Sequence, residues 1–233
     1  MSDPADTLAK RFQETGLPAD ETAYLKARLE AETLCRETLA LAAYLGHATA
    51  SEVLGSEAPY EDQDLVRWIE GLSRWPKPAW VRAGAAAARA VLPRWAAQNP
   101  GDRRPQAAIA AAEAWLRDPS EAHRQAAERA AETLSEKGGG SDGLPEGGGG
   151  GATFDADMGL MVAVDLAAEA AHLAADTGDL KDLAEKAILA EIAHGARSRA
   201  GLDEGPTLRE VIRAALVPWL LGYAEPLDSQ PTL

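Results

Sequence analysis

Residues Ala90 to Ala131 read AVLPRWAAQNPGDRRPQAAIAAAEAWLRDPSEAHRQAAERAA. Alanine dominates, and the breaks between alanine runs are sharp: Pro93, the loop Asn99-Pro100-Gly101-Asp102, and Asp118-Pro119-Ser120. Alanine is the strongest helix former, because it loses no side-chain entropy in a helix and buries no polar group. Proline removes a backbone donor, and Asp or Ser next to it supplies a cap. The stretch therefore reads as helices separated by tight loops, and its composition extends to the whole chain. Alanine makes up about a fifth of the 233 residues, well above ordinary usage, and β-branched and aromatic residues are sparse. The sequence predicts an all-α protein, a single Ala-rich bundle of about eight or nine helices.

Working outward from that stretch, nine helices are expected. Pro4 to Glu14 reads as the first, stopped by Gly16, and a second runs from Pro18–Asp20 to Leu45. Its apolar residues Tyr24, Leu25, Leu29, Leu34, Leu39, Leu41 and Leu45 recur at three- and four-residue steps. Residues 47–60 read as a loop with one turn at Ser51–Leu54. Helices follow over Glu61–Ser73, Ala79–Ala97, Pro105–Arg117 and from after Asp118-Pro119-Ser120 to Lys137, with Pro93 placed to distort the second of these. Beyond the Gly-rich run the pattern predicts Asp155–Ala175, Leu180–Arg199 and Pro206–Leu221, with Pro218 in the last turn and a frayed tail over 226–233.

The run GGGSDGLPEGGGGG, residues 138–151, buries nothing and reads as a disordered linker over 138–153. A flexible chain of that length spans roughly 20 Å, enough to join two helices of one bundle. Residues 1–137 and 154–225 are accordingly expected to pack on the same core.

Charge is segregated. Residues 1–64 carry 13 acidic and 5 basic side chains, residues 65–137 carry 8 and 12, and residues 138–233 carry 16 and 6. The net charge of −14 repels nucleic acid and anionic membranes and favours a basic protein partner. No apolar run approaches the ~18–20 residues that span a bilayer. The N-terminus MSDPADTLAK has neither a basic nor an apolar signal segment, so a cytoplasmic protein is expected. Cys35 is the sole cysteine, which rules out an intramolecular disulfide. It falls in an apolar helical stretch and reads as a small core residue.

No Ser/His/Asp or Cys/His spacing marks a catalytic site, and no cofactor is expected. One short repeat stands out. Ala168-Glu169-Ala170-Ala171-His172 and Ala190-Glu191-Ile192-Ala193-His194 each set Glu and His three apart on one helical face. Paired Glu-x-x-His helices supply half the ligands of ferritin-like di-iron sites, which makes a metalloprotein using Glu169, His172, Glu191 and His194 the alternative reading. Such a site also needs carboxylates from two other helices, and nothing selects among Glu32, Glu37, Glu113 and Glu128. The simpler reading is two histidines packed on alanine with local partners, and no metal. His47, after the stop at Gly46, and His123, early in a helix, read as helix-end chemistry. Five of six tryptophans fall within residues 68–115 and read mainly as core fillers. Trp75 and Trp80, in Arg74-Trp75-Pro76-Lys77-Pro78-Ala79-Trp80, are the exception: a loop mixing aromatics and cations is a candidate partner anchor.

Four marks give the chain a resemblance. They are Val91-Leu92-Pro93, the turn Pro100-Gly101-Asp102-Arg103-Arg104-Pro105, the helix from Ala107 to Trp115-Leu116, and the Ala- and His-bearing helices after the linker. In that order they resemble the core of the Imm-5-like immunity proteins of bacteria. The resemblance implies a helical protein that neutralises a toxin by binding rather than by catalysis. A basic toxin would then be steered by Glu57, Glu61, Asp62 and Asp64, with Trp75 and Trp80 as anchors. The long acidic N-terminal stretch and the Gly-rich run depart from the family pattern.

Overall fold

The computed structural model describes the backbone of residues 4–138, 151–199 and 205–223, and the side chains within 5–134, 162–192 and 205–223. Among the described residues there are eleven α-helices and no strand. They are α1 (Pro4–Thr15), α2 (Pro18–Glu30), α3 (Arg36–Tyr44), α4 (Ala48–Leu54), α5 (Leu65–Glu70), α6 (Lys77–Gln98), α7 (Arg104–Arg117), α8 (Glu121–Gly138), α9 (Gly151–Ala175), α10 (Leu180–Arg199) and α11 (Leu208–Leu221). Short 3-10 turns follow α4 and α5, over Gly55–Glu57 and Gly71–Arg74. The all-α class is as the composition predicts, and α6 and α11 run on through Pro93 and Pro218.

The helix count exceeds nine for two local reasons. The helix expected over 18–45 is broken at residues 31–35. Glu32 takes a left-handed backbone (φ 56°), and the Arg28 carbonyl accepts the amides of Thr33 and Leu34, closing α2. Cys35 then opens α3, its Sγ accepting the Thr38 amide at 3.4 Å. Cys35 is exposed and not a core residue as expected. The second addition is α4, inside the expected loop: His47 caps it through Nδ1, which accepts the Ala50 amide at 3.3 Å. The helix expected from Glu61 starts only at Leu65, because Asp64 supplies the cap by accepting the Arg67 amide at 3.0 Å.

The described residues divide into two compact units: those up to Asp62 together with Leu216 to Tyr223, and those from Gln63 to Ala215, so that the division falls within α11. In the first unit α2 packs on α1 and α4, and α3 on α4. Its apolar centre is Leu25, Leu39, Leu45 and Ala50, all fully buried, with Leu34, Leu41 and Leu54.

In the second unit α9 packs against α6, α7, α8 and α10. From Val162 on, where its side chains are described, it is buried nearly all round: Val162, Ala163, Leu166, Ala167, Ala170, Ala171, Leu173, Ala174 and Ala175 are out of solvent. A helix apolar on every side belongs inside others. Helix α9 packs on α6, whose Ala83–Ala88 stretch is also buried throughout. Small residues bring the two backbones close, and a Cβ on Gly84 would lie 3.3 Å from the Ala170 Cα. Helices before and after the Gly-rich run thus share one core in this unit. The linker expected over 138–153 is helical at its described ends, since α8 includes Gly138 and α9 begins at Gly151 and not at Asp155, while residues 139–150 and the tail over 226–233 lie outside the described residues.

Candidate functional site

Among the described residues, a group of buried polar side chains lies in the first unit, where α2, α4 and the segment following α11 meet at Glu21. Glu21 is buried, and its carboxylate accepts the Thr49 hydroxyl at 2.8 Å on Oε2 and the Tyr223 hydroxyl at 2.6 Å on Oε1. His47 Nε2 lies 3.3 Å from the same Oε1. Because the backbone amide of Ala50 donates to Nδ1, the neutral ring carries its proton on Nε2, pointing at Glu21. Beside it the Thr22 hydroxyl reaches both the Pro18 carbonyl (2.9 Å) and Glu52 Oε2 (3.1 Å). Asp20 is held by Arg11 and by the Thr15 hydroxyl, each at 2.7 Å.

Electrostatics follow from burial. Loss of water pushes the His47 ring below its ordinary basicity, and the Glu21 charge opposes this without cancelling it. Burial, then the hydrogen bond to Glu21, pushes the Tyr223 phenol far above its usual value, so it stays a donor. Tyr223 also meets Phe12 with ring centroids 5.4 Å apart and Tyr24 at 6.4 Å. Arg28 lies over the Tyr24 ring and donates to the Leu221 carbonyl. Glu21 accepts from α4 and from Tyr223 after α11, and His47 uses both nitrogens. The group is built to hold α2, α4 and the end of α11 in register. No motif in the sequence announces it, since its members are 26, 28 and 202 residues from Glu21.

The residues expected to meet a partner are distributed over both units. Glu57 is exposed but paired with Arg36, whose Nη2 lies 2.5 Å from Oε2. Glu61 and Asp62 lie half-buried on the segment after the first 3-10 turn. Asp64, exposed, is the α5 cap in the second unit. Trp75 is half-buried where the second 3-10 turn ends. Trp80, also half-buried, donates its indole N–H to the Leu72 carbonyl at 2.6 Å, tying α6 to that turn. The expectation of core tryptophans holds most fully for Trp68 and Trp115, and Trp95 and Trp219 are half-buried.

Of the four residues in the Glu-x-x-His repeat, three are described. Glu169 is buried and paired with Lys186, Nζ to Oε2 2.8 Å. His172 Nδ1 lies 2.8 Å from the Thr177 hydroxyl at the end of α9. Glu191 accepts the Leu208 amide at 3.0 Å, at the start of α11. The His194 side chain lies outside the described residues. Glu113 is held by Arg89 through both oxygens, and Glu128 by Arg124. Among the described residues no three His, Cys, Asp or Glu side chains converge as metal ligands would. No described helix is long and apolar enough to cross a membrane.

Compared with known proteins, the chain matches no family model, no curated protein and no solved structure.

Proposed function

We propose that this chain is a non-enzymatic, helical protein-binding protein of the immunity type, which neutralises a basic bacterial toxin by direct contact. The observation that carries the reading is the state of the charges in residues 1–64, where 13 acidic side chains face 5 basic ones. Three of those five are spent inside the unit: Arg11 on Asp20, Arg36 on Glu57, and Arg28 on the Leu221 and Thr33 carbonyls. Exposed carboxylates such as Glu30, Glu32 and Glu37 are left to set the field. Such a field speeds encounter with a basic partner and suppresses nucleic acid. The buried carboxylates Glu21, Glu113 and Glu169 support the same reading, since each is engaged within the fold.

Glu57, Glu61, Asp62 and Asp64 are the steering residues to test, and Trp75 and Trp80 are the anchors to test. The experiment is co-expression with each toxic basic protein that the genes flanking this one are found to encode. Growth rescue and a stoichiometric complex on gel filtration are expected. No rescue and no complex would overturn the reading.

A further inference from the structure

His47 stands where two demands on one nitrogen conflict. Its Nδ1 accepts the Ala50 amide and so opens α4, while Nε2–H faces Glu21. The ring has one site left to take a proton, and that site is Nδ1. A protonated ring presents N–H to the N–H of Ala50, and the cap is lost. Ala50 is fully buried, so water does not replace the lost acceptor. We propose that His47 is a proton-operated latch: acid releases the start of α4, and neutral pH closes it again.

The surroundings define the latch. Glu21 on α2 is the charged group that acts on the ring. Glu52, on α4 itself, accepts from Thr22, and Tyr223 reaches the ring only by way of Glu21. Asp20, next to Glu21, is committed to Arg11 and Thr15. Protonation therefore gains attraction to Glu21, already shared between Thr49 and Tyr223, and loses the cap. Burial tips this balance against the charged ring. A histidine whose basicity is depressed by folding stabilises the fold above its unfolded value of about 6.5. That stabilisation is lost as pH falls below that value toward the depressed one.

The test is amide hydrogen exchange on the full chain at pH 7.5 and 5.5, corrected for the intrinsic pH dependence of exchange. In the native chain, protection of the Ala50 amide is expected to fall about fivefold at the lower pH, the equilibrium change for about 1 kcal/mol of cap. In His47→Asn, whose side-chain oxygen caps without titrating, protection is expected to be the same at both pH values. Equal protection at both pH values in the native chain, or an equal fall in the variant, overturns the latch. Nitrogen-15 shifts of the native imidazole give a second readout that needs no variant. They are expected to report Nε2–H at pH 7.5 and a midpoint below 6.5. A proton on Nδ1 at pH 7.5, or a midpoint at or above 6.5, overturns the proposal.

Discussion

At the scale of single residues, the described polar side chains do more to define helix ends than to gather at one place. Cys35, His47 and Asp64 each accept the amide three residues on, and each opens a helix. A cap of this kind is worth about 0.5–2 kcal/mol. Cys35→Ser keeps the acceptor and is expected to leave the melting temperature unchanged within error, whereas Cys35→Ala is expected to cost about 1 kcal/mol by denaturant unfolding. The Thr38 hydroxyl and amide hold the Cys35 thiol below its ordinary pKa, and the side chain is exposed. Alkylation of the native chain at neutral pH is therefore expected to go to completion without denaturant. Gly178 gives a second check. A Cβ there would sit 2.4 Å from Glu169 Oε1 and 3.0 Å from the His172 carbonyl carbon. The backbone contact cannot swing away, so Gly178→Ala is expected to cost about 1–3 kcal/mol, read as a fall in the unfolding midpoint.

At the scale of elements, α9 decides the second unit. Its C-terminus gathers two cations: Lys77 Nζ donates to the Ala174 carbonyl at 2.9 Å, and Arg124 Nη1 to the Ala175 carbonyl at 3.0 Å. Positive charge at the last turn offsets the helix dipole and satisfies carbonyls that the helix leaves open. Lys77 also lies 4.3 Å from the Trp115 ring centroid, so one side chain links α6, α7 and α9. At Gly84 the contact between α6 and α9 is close, and the alanines around it are buried. Ala87→Leu, at a fully buried α6 position, is expected to destabilise by about 1–3 kcal/mol through overpacking, with helix content by circular dichroism retained. Ala110→Leu, at an exposed α7 position, is the control and is expected to change stability by less than about 0.5 kcal/mol.

At the scale of the whole molecule, chain order and packing part company. Helices α6, α7 and α8 precede the Gly-rich run and α9 and α10 follow it, yet they share one core. A chain cut once, at a protease site engineered between residues 138 and 151, is therefore expected to elute as one species, and its two pieces to separate only in denaturant. Charge is the other whole-molecule property. If Glu61 and Asp62 steer a basic toxin, reversing both to Lys is expected to slow association and flatten its dependence on salt. Exposed charges act over a Debye length of about 10 Å at 0.1 M. Trp75→Ala is expected instead to speed dissociation, because a buried aromatic anchor is lost in the bound state. Both rates are read by surface plasmon resonance against the co-expressed toxin.

The amino-acid sequence by itself determined the all-α class and most helix boundaries. Alanine content and the Pro-, Gly- and Asp-marked stops of α6 to α8 are local signals, and helix propensity is a local property. It did not show the break after α2 or the start of α4 at Ala48, ahead of the turn expected over Ser51–Leu54, because those ends rest on Glu32, Cys35 and His47. None is a strong stop or cap signal by residue type, and each takes its role from hydrogen bonds that form only in context. Tertiary structure alone shows what the described carboxylates of the Glu-x-x-His repeat face. Equal spacing on two helices says nothing of what each helix faces, and Glu169 meets Lys186 while Glu191 meets the amide of Leu208. Tertiary structure likewise assembled Glu21, His47, Thr49 and Tyr223. A buried carboxylate must find donors wherever the fold places them, and here one of them comes from 202 residues away.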